Sequence, residues 1–165
     1  MLTNIRSRSL ALAAVSLAVG LGSHEALATS QTGTAKAAIV QAIVLTENTN
    51  LNFGFVIPGA AAGTLAVSPA GVTTPTGVTY LNGAVAGAWN VTGTSGQPLV
   101  VTLDASDTLT GPGPAMTIDT FTHNAPATFT SGSVNFNVGA TLHVGTAAAQ
   151  TAGNYSGTYT VVVNY

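Results

Sequence analysis

The chain has 165 residues, no cysteine, only three Lys or Arg and five Asp or Glu. Without cysteine it has neither a disulfide framework nor a lipoprotein anchor. With so few basic residues it cannot build the cationic stripe by which nucleic-acid binders displace counterions.

Met1 to Ala28 reads as a removable export signal. Arg6 and Arg8 form a basic head, Leu10 to Leu21 an apolar run, and Ala26-Leu27-Ala28 a small-x-small cleavage site. The run is shorter than the ~20 residues that cross a bilayer, and no later stretch approaches that length. Cleavage leaves 137 residues (165 less 28), Thr29 to Tyr165, expected as one exported domain in the periplasm, at the cell surface or outside the cell. Its remaining charges are Lys36 against Glu47, Asp104, Asp107 and Asp119. Weakly charged surfaces repel little and tend to associate, which suits a coat or fibre component.

After a small-polar lead, Ala35 to Thr46 places Ile39, Ile43 and Leu45 on one parity and Ala38, Val40, Ala42 and Val44 on the other. Both faces are apolar and the content is β-branched, so a strand buried on both sides is expected. Glu47 to Asn50 reads as a turn. Leu51 to Ile57 alternates, with Leu51, Phe53, Phe55 and Ile57 inward, and Gly54 marks a bulge or close backbone approach. Thr64 to Val67 and Gly71 to Tyr80, interrupted by Pro69 and Pro75, read as edge strands.

Val85, Trp89 and Val91 share a face, and Trp89 is the expected largest core filler beside Phe53 and Phe55. Thr94 to Gln97 reads as a hairpin connection to Leu99 to Asp104, with Leu99, Val101 and Leu103 inward. Ser106 to Pro114 and Thr122 to Pro126 read as loops around a strand at Met116 to Phe121. Thr128 to Phe136 is weakly patterned, whereas Val138, Ala140, Leu142 and Val144 alternate cleanly.

The sharpest pattern is Gly153 to Tyr165. Tyr155, Tyr159, Val161, Val163 and Tyr165 fall on one parity with Gly157, opposite Ser156, Thr158, Thr160 and Asn164. This predicts a strand with one buried face, and each large side chain fully buried there is worth roughly 1.5–3 kcal/mol. Such a strand needs a facing sheet and edge neighbours, from earlier in the chain or from another molecule. Eight to ten short strands with turns at regular spacing argue an all-β sandwich. A transmembrane barrel is the rival, but aromatic girdles are lacking and most strands are short of the ~9–11 residues that cross.

Chemistry is sparse. His143 lies on an outward parity and His123 in a turn, with no third ligand at metal spacing, so exposed histidines are the plain reading. Asp104 and Asp107 bracket a loop that could hold calcium, yet such a site needs six or more oxygens. No nucleophile elbow, no phosphate loop and no paired carboxylates occur, so catalysis, metal and cofactor are not expected.

The LNFG stretch at Leu51 to Gly54, the VGATL stretch at Val138 to Leu142 and, above all, GNYSGTYTVVVNY at Gly153 to Tyr165 resemble an uncharacterised family of short secreted bacterial β-proteins, a domain of unknown function. More remotely they resemble spore-coat-U proteins and the pilins of archaic chaperone–usher systems. That resemblance implies an immunoglobulin-like, pilin-like sandwich lacking one strand, with an apolar groove beside the terminal strand. A periplasmic chaperone fills the groove first, and an outer-membrane usher directs its replacement by a neighbour's N-terminal strand. Here Ile39, Gln41, Ile43 and Leu45 would form the donor, and Tyr155, Tyr159, Val161, Val163 and Tyr165 the acceptor edge of a homopolymer. Two departures from the pilin pattern stand out: there is no cysteine pair, and the lead before Leu51 is short for a donor plus a first strand. The same residues can instead fold back as their own first strand, giving a self-complete monomer. The alternative function is a secreted ligand-binding or adhesive module using the loops Ser106 to Pro114 and Thr122 to Pro126.

Overall fold

The computed structural model describes residues 28–165; the export-signal reading of Met1 to Ala28 lies outside the described residues except for Ala28. The chain divides into two compact units, Met1–Ala37 and Ala38–Tyr165. In the first, the described residues 28–37 are exposed and in no strand. The second contains eleven strands: β1 (Val44–Thr49), β2 (Asn52–Pro58), β3 (Gly63–Val67), β4 (Thr73–Thr76), β5 (Val78–Val85), β6 (Gly87–Thr92), β7 (Val100–Leu103), β8 (Ser106–Leu109), β9 (Met116–His123), β10 (Ser133–Val144) and β11 (Val161–Asn164). Every pairing is antiparallel, as the all-β reading expects, and the layering is that of a β-sandwich.

β10 is the hub. Its partner β6 spans Ser133 to Val138, β3 spans Ala140 to Val144, and β9 pairs Val138 to Leu142. Val138 is shared by β6 and β9, and Leu142 by β3 and β9, so β6 and β3 divide one edge of β10 while β9 takes the other. The division falls at Gly139, where a Cβ would run into the Val67 carbonyl as the chain leaves β3. Only glycine lets two backbones approach that closely. The remaining strands extend this seven-stranded sheet, leaving β1, β4 and β8 each with one partner, so the sheet is open. No helix among the described residues is long and apolar enough to cross a membrane.

One face of β10 carries Val134, Phe136, Val138, Ala140, Leu142 and Val144, all buried. Two separate two-stranded sheets cover it. The pair β2–β5 encloses a core of Phe53, Leu65, Val67, Met116, Ile118 and the carboxyl half of β10. The pair β7–β11 encloses a second core of Val91, Leu99, Phe129 and the amino half of β10. Phe121 packs against both. It can do so because β9 carries a bulge: Thr120 and Phe121 together oppose Ala140, and Thr120 adopts the left-handed conformation (φ 52°). Inward parity thereby passes from Met116 and Ile118 to Phe121.

Several sequence expectations are corrected. Ala35 to Ile43 lies in no strand, and Glu47 to Thr49 belongs to β1, not to a turn. Phe55 is not a core anchor: it is 67% exposed, because Gly54 (φ 70°) breaks the alternation and turns the following parity outward. Ile57 and Val85 face outward too, while Val56 packs inward. β3 is an interior strand, not an edge, with Leu65 fully buried, whereas Pro75 does sit in edge strand β4. Thr94 to Gln97 makes a turn but no hairpin, since it carries the chain from β6 in the large sheet to β7 in a small one. Ser106 to Leu109 and Thr122 to His123 are strand, not loop. Trp89 is half-buried, and the largest fully buried side chains are Phe129 and Phe136.

These placements set a contrast measurable by urea unfolding. Phe136→Ala is expected to lower stability by about 3–5 kcal/mol, as for other buried phenylalanines, and Phe55→Ser by less than about 0.5 kcal/mol, as for an exposed position. Equal losses at the two sites would contradict the outward placement of Phe55.

Candidate assembly edge

β11 pairs with β7 along Val161 to Asn164, and among the described residues no strand pairs its other edge. The start of this pair is fixed by the Thr160 N–H, which donates to the Asp104 carboxylate at 2.6 Å. Only the last third of the predicted terminal strand is therefore a strand. Upstream, Ser156 makes an isolated bridge to Thr110. The alternation nevertheless holds over the whole stretch: Tyr155, Tyr159, Val161, Val163 and Tyr165 are all half-buried, while Val162 faces out at 46% exposure. Tyr155 packs on the first core and the other four on the second.

Tyr159 stands where the two cores meet. It stacks on Phe121 with centroids 5.2 Å apart, meets Trp89 edge-on at 6.2 Å, and accepts from the Trp89 indole N–H at 3.1 Å. Burial pushes its hydroxyl above the ordinary tyrosine value; the Trp89 hydrogen bond opposes the rise and the Glu47 carboxylate adds to it. Tyr159 is a packing group here, not an acid.

Tyr165 ties the terminal stretch to the entering chain. Its ring packs on Phe129 at 5.6 Å, its hydroxyl accepts from the Thr94 N–H at 2.9 Å, and the same hydroxyl donates to the Gln41 carbonyl. The Gln41 N–H donates to Thr94 Oγ1 at 2.7 Å. The four residues expected in the donor thus part company. Ile43 and Leu45 pack into the second core of their own unit, Gln41 is held by its backbone, and Ile39 is 96% exposed. Sequence patterning missed Phe129 and the Thr94–Gln41–Tyr165 knot, since each rests on loop backbone with no periodic signal.

Elsewhere among the described residues the ionisable side chains are engaged one by one. His143 Nε2 lies 3.0 Å from Asp119 Oδ1 across β10 and β9, a pairing that sequence spacing does not reveal. Asp104 is engaged by Thr160 and Asp107 by the Thr108 N–H. His123 accepts from the Ala125 N–H through Nδ1. Among the described residues no three His, Asp or Glu side chains converge as metal ligands. One shallow depression is lined by Thr49, Pro69, Ala70 and Ala86, another by Gly63, Thr64, Thr117 and His143. Neither is lined by Phe, Tyr or Trp.

Two expectations follow from these contacts. Tyr165→Phe should cost about 1 kcal/mol, the usual net worth of a hydrogen bond, and should accelerate amide exchange at Thr94; unchanged exchange there would mean that the knot does not form in solution. The Asp119 carboxyl is held below its ordinary value of 3.8, first by the hydrogen bond to His143 and then by that of Thr120. A carboxyl depressed on folding adds stability that is fully present above its unfolded value and is lost as pH falls through its folded one. Asp119→Asn should therefore flatten the loss of stability below about pH 4 in acid-titrated melts, and a profile as steep as the parent's would remove Asp119 from that account.

No curated protein and no solved structure matches the chain. A family model described as "Domain of unknown function (DUF4402)" matches residues 43–165, which begin one residue before β1 and run through the terminal stretch. The hub strand, both cores and the unpaired edge of β11 all lie within that match, and the chain belongs to this family.

Proposed function

We propose that this protein is an exported structural subunit, pilin-like or coat-like, that assembles by adding a strand to an open edge and by lateral packing. The observation that carries the reading is the pairing of two unsatisfied features in one chain. An apolar segment ending at Val40 lies in no strand, and β11 offers backbone donors and acceptors on an edge that no strand among the described residues covers. An open edge beside a buried face templates further pairing unless it is blocked, and β11 carries no charge, proline or bulge to block it. Because Ile43 and Leu45 complete their own core, the donated segment is confined to Ala35 to Val40. That core closure also means the subunit is folded before assembly, so a chaperone or usher would act on the edge and not on an exposed interior.

Lateral packing is supported by the outer faces of the small sheets. Phe55, Ile57 and Leu81 stand exposed on β2–β5, and Val100 and Val162 on β7–β11, with no charged residue in any of these four strands. The immunoglobulin-like topology implied by the resemblance belongs to the same proposal. The adhesive alternative has less to stand on, since neither depression is lined by a Phe, Tyr or Trp on which a sugar could stack.

Purified protein lacking the leader is expected to form assemblies visible by electron microscopy and sedimentation. Deleting Thr29 to Val40 should leave a folded, cooperative monomer that no longer assembles. If the intact protein stays monomeric at high concentration, with the amides of Ala35 to Val40 exchanging freely, the assembly reading fails.

A further inference from the structure

Lys36 is the only Lys or Arg after Arg8, so the 129 residues from Ala37 to Tyr165 (165 less 36) carry no basic side chain other than histidine. A protease that selects its scissile bond through a carboxylate in its specificity pocket, as trypsin does, needs Lys or Arg before that bond. Such an enzyme finds nothing to cut from Ala37 onward, whether the chain is folded or unfolded. Composition, not stability, protects this part of the protein.

The Lys36–Ala37 bond is the opposite case. An endoprotease takes its substrate as extended chain, through backbone hydrogen bonds on both sides of the scissile bond. That stretch has to be open to solvent and free of ladder pairing. Every residue from Ala28 to Ala42 is exposed, and none of them lies in a strand. A Cβ at Gly33 would meet no atom of a described residue within 4 Å, and Ile39 is 96% exposed. The backbone is first tied to the fold at Gln41, whose N–H donates to Thr94 Oγ1 at 2.7 Å and whose carbonyl accepts from Tyr165. Four residues, Ala37 to Val40, separate Lys36 from that anchor. Thr34, Ala35, Ala37 and Ala38 around the bond are small, with no proline among them to bar a cleft.

We propose that Lys36–Ala37 is a processing site, at which an endoprotease with an acidic specificity pocket releases the chain up to Lys36 and leaves a folded product that it cannot degrade. Water adds across the amide, leaving a carboxylate on Lys36 and an amine on Ala37. The cores lose nothing, because the first side chain packed into either of them is Ile43. A regulatory consequence follows, and it alone rests on the strand-addition reading above. A copy whose segment is held in a neighbour's sheet hides the bond, so the enzyme strips unassembled copies and spares assembled ones.

The test is a digest of the full chain with trace trypsin, at a concentration where sedimentation gives monomer, followed by intact mass. A synthetic peptide covering Thr29 to Gln41 supplies the rate for a fully open bond. A bond reached only through unfolding is cut more slowly by the folding equilibrium constant, about 10³ or more. Native cleavage within about tenfold of the peptide rate is expected, with Ala37–Tyr165 accumulating as the limit product at an unchanged urea midpoint. Lys36→Gln should abolish that product. A larger deficit in rate, or a product that no longer unfolds cooperatively, overturns the proposal. Repeating the digest on assembled protein separates the two readings. Slowed cleavage is expected there, whereas cleavage as fast as in the monomer overturns the sparing of assemblies, and strand donation with it, while the processing site stands.

Discussion

Six apolar side chains on one face of β10, from Val134 to Val144, have to be kept from water at once, and the architecture answers that requirement. Fully burying each of the larger ones is worth roughly 1.5–3 kcal/mol, so an uncovered β10 face would outweigh the few kcal/mol by which a domain of this size is stable. A twelve-residue strand is too long for either two-stranded cover alone, the longest strand in which has eight residues. The chain meets the demand with two covers over one floor. The floor is continuous, while the covering layer is interrupted between β2–β5 and β7–β11.

The interruption explains the crowding of aromatic groups at its margin. Phe121 serves both cores, Tyr159 lies against it, and Trp89 fixes Tyr159 from the large sheet. Large rings span a gap that no backbone crosses, and the tyrosine keeps its hydroxyl hydrogen-bonded while doing so. The interruption also multiplies edges: each cover is a pair of strands, and each strand has one partner. A sparsely charged exterior with many edges is poorly defended against association. Under the proposed reading as an exported, assembling subunit, that weakness becomes the working property.

Where strand periodicity was unbroken, the sequence showed the structure directly: Val138 to Val144 and Tyr155 to Tyr165 point as their alternation demands. Gly54 defeats the same logic at Phe55, because a single left-handed residue reverses every side chain that follows until the next irregularity. Phe129 was illegible for another reason. It sits outside any strand, clamped by backbone bonds to Gly96 and Gln97, and its burial depends on where two loops meet. The Asp119–His143 contact depends on cross-strand register, which spacing along a chain does not encode. At the candidate edge the acceptor side was readable from its tyrosines and valines. The donor side was not, since the apolar pattern of Ala35 to Leu45 runs unchanged across the point where exposed chain becomes strand.

The Thr120–Phe121 bulge gives β9 one residue more than its partner, and that surplus is what hands the strand from one interior to the other. On a regular ladder with the same sequence Thr120 alone would oppose Ala140 and Phe121 would point to solvent, emptying the junction beneath Tyr159. Length in β9 is therefore a quantised property: the bulge absorbs one residue, whereas a single insertion or deletion elsewhere in the strand reverses the facing of the side chains beyond it.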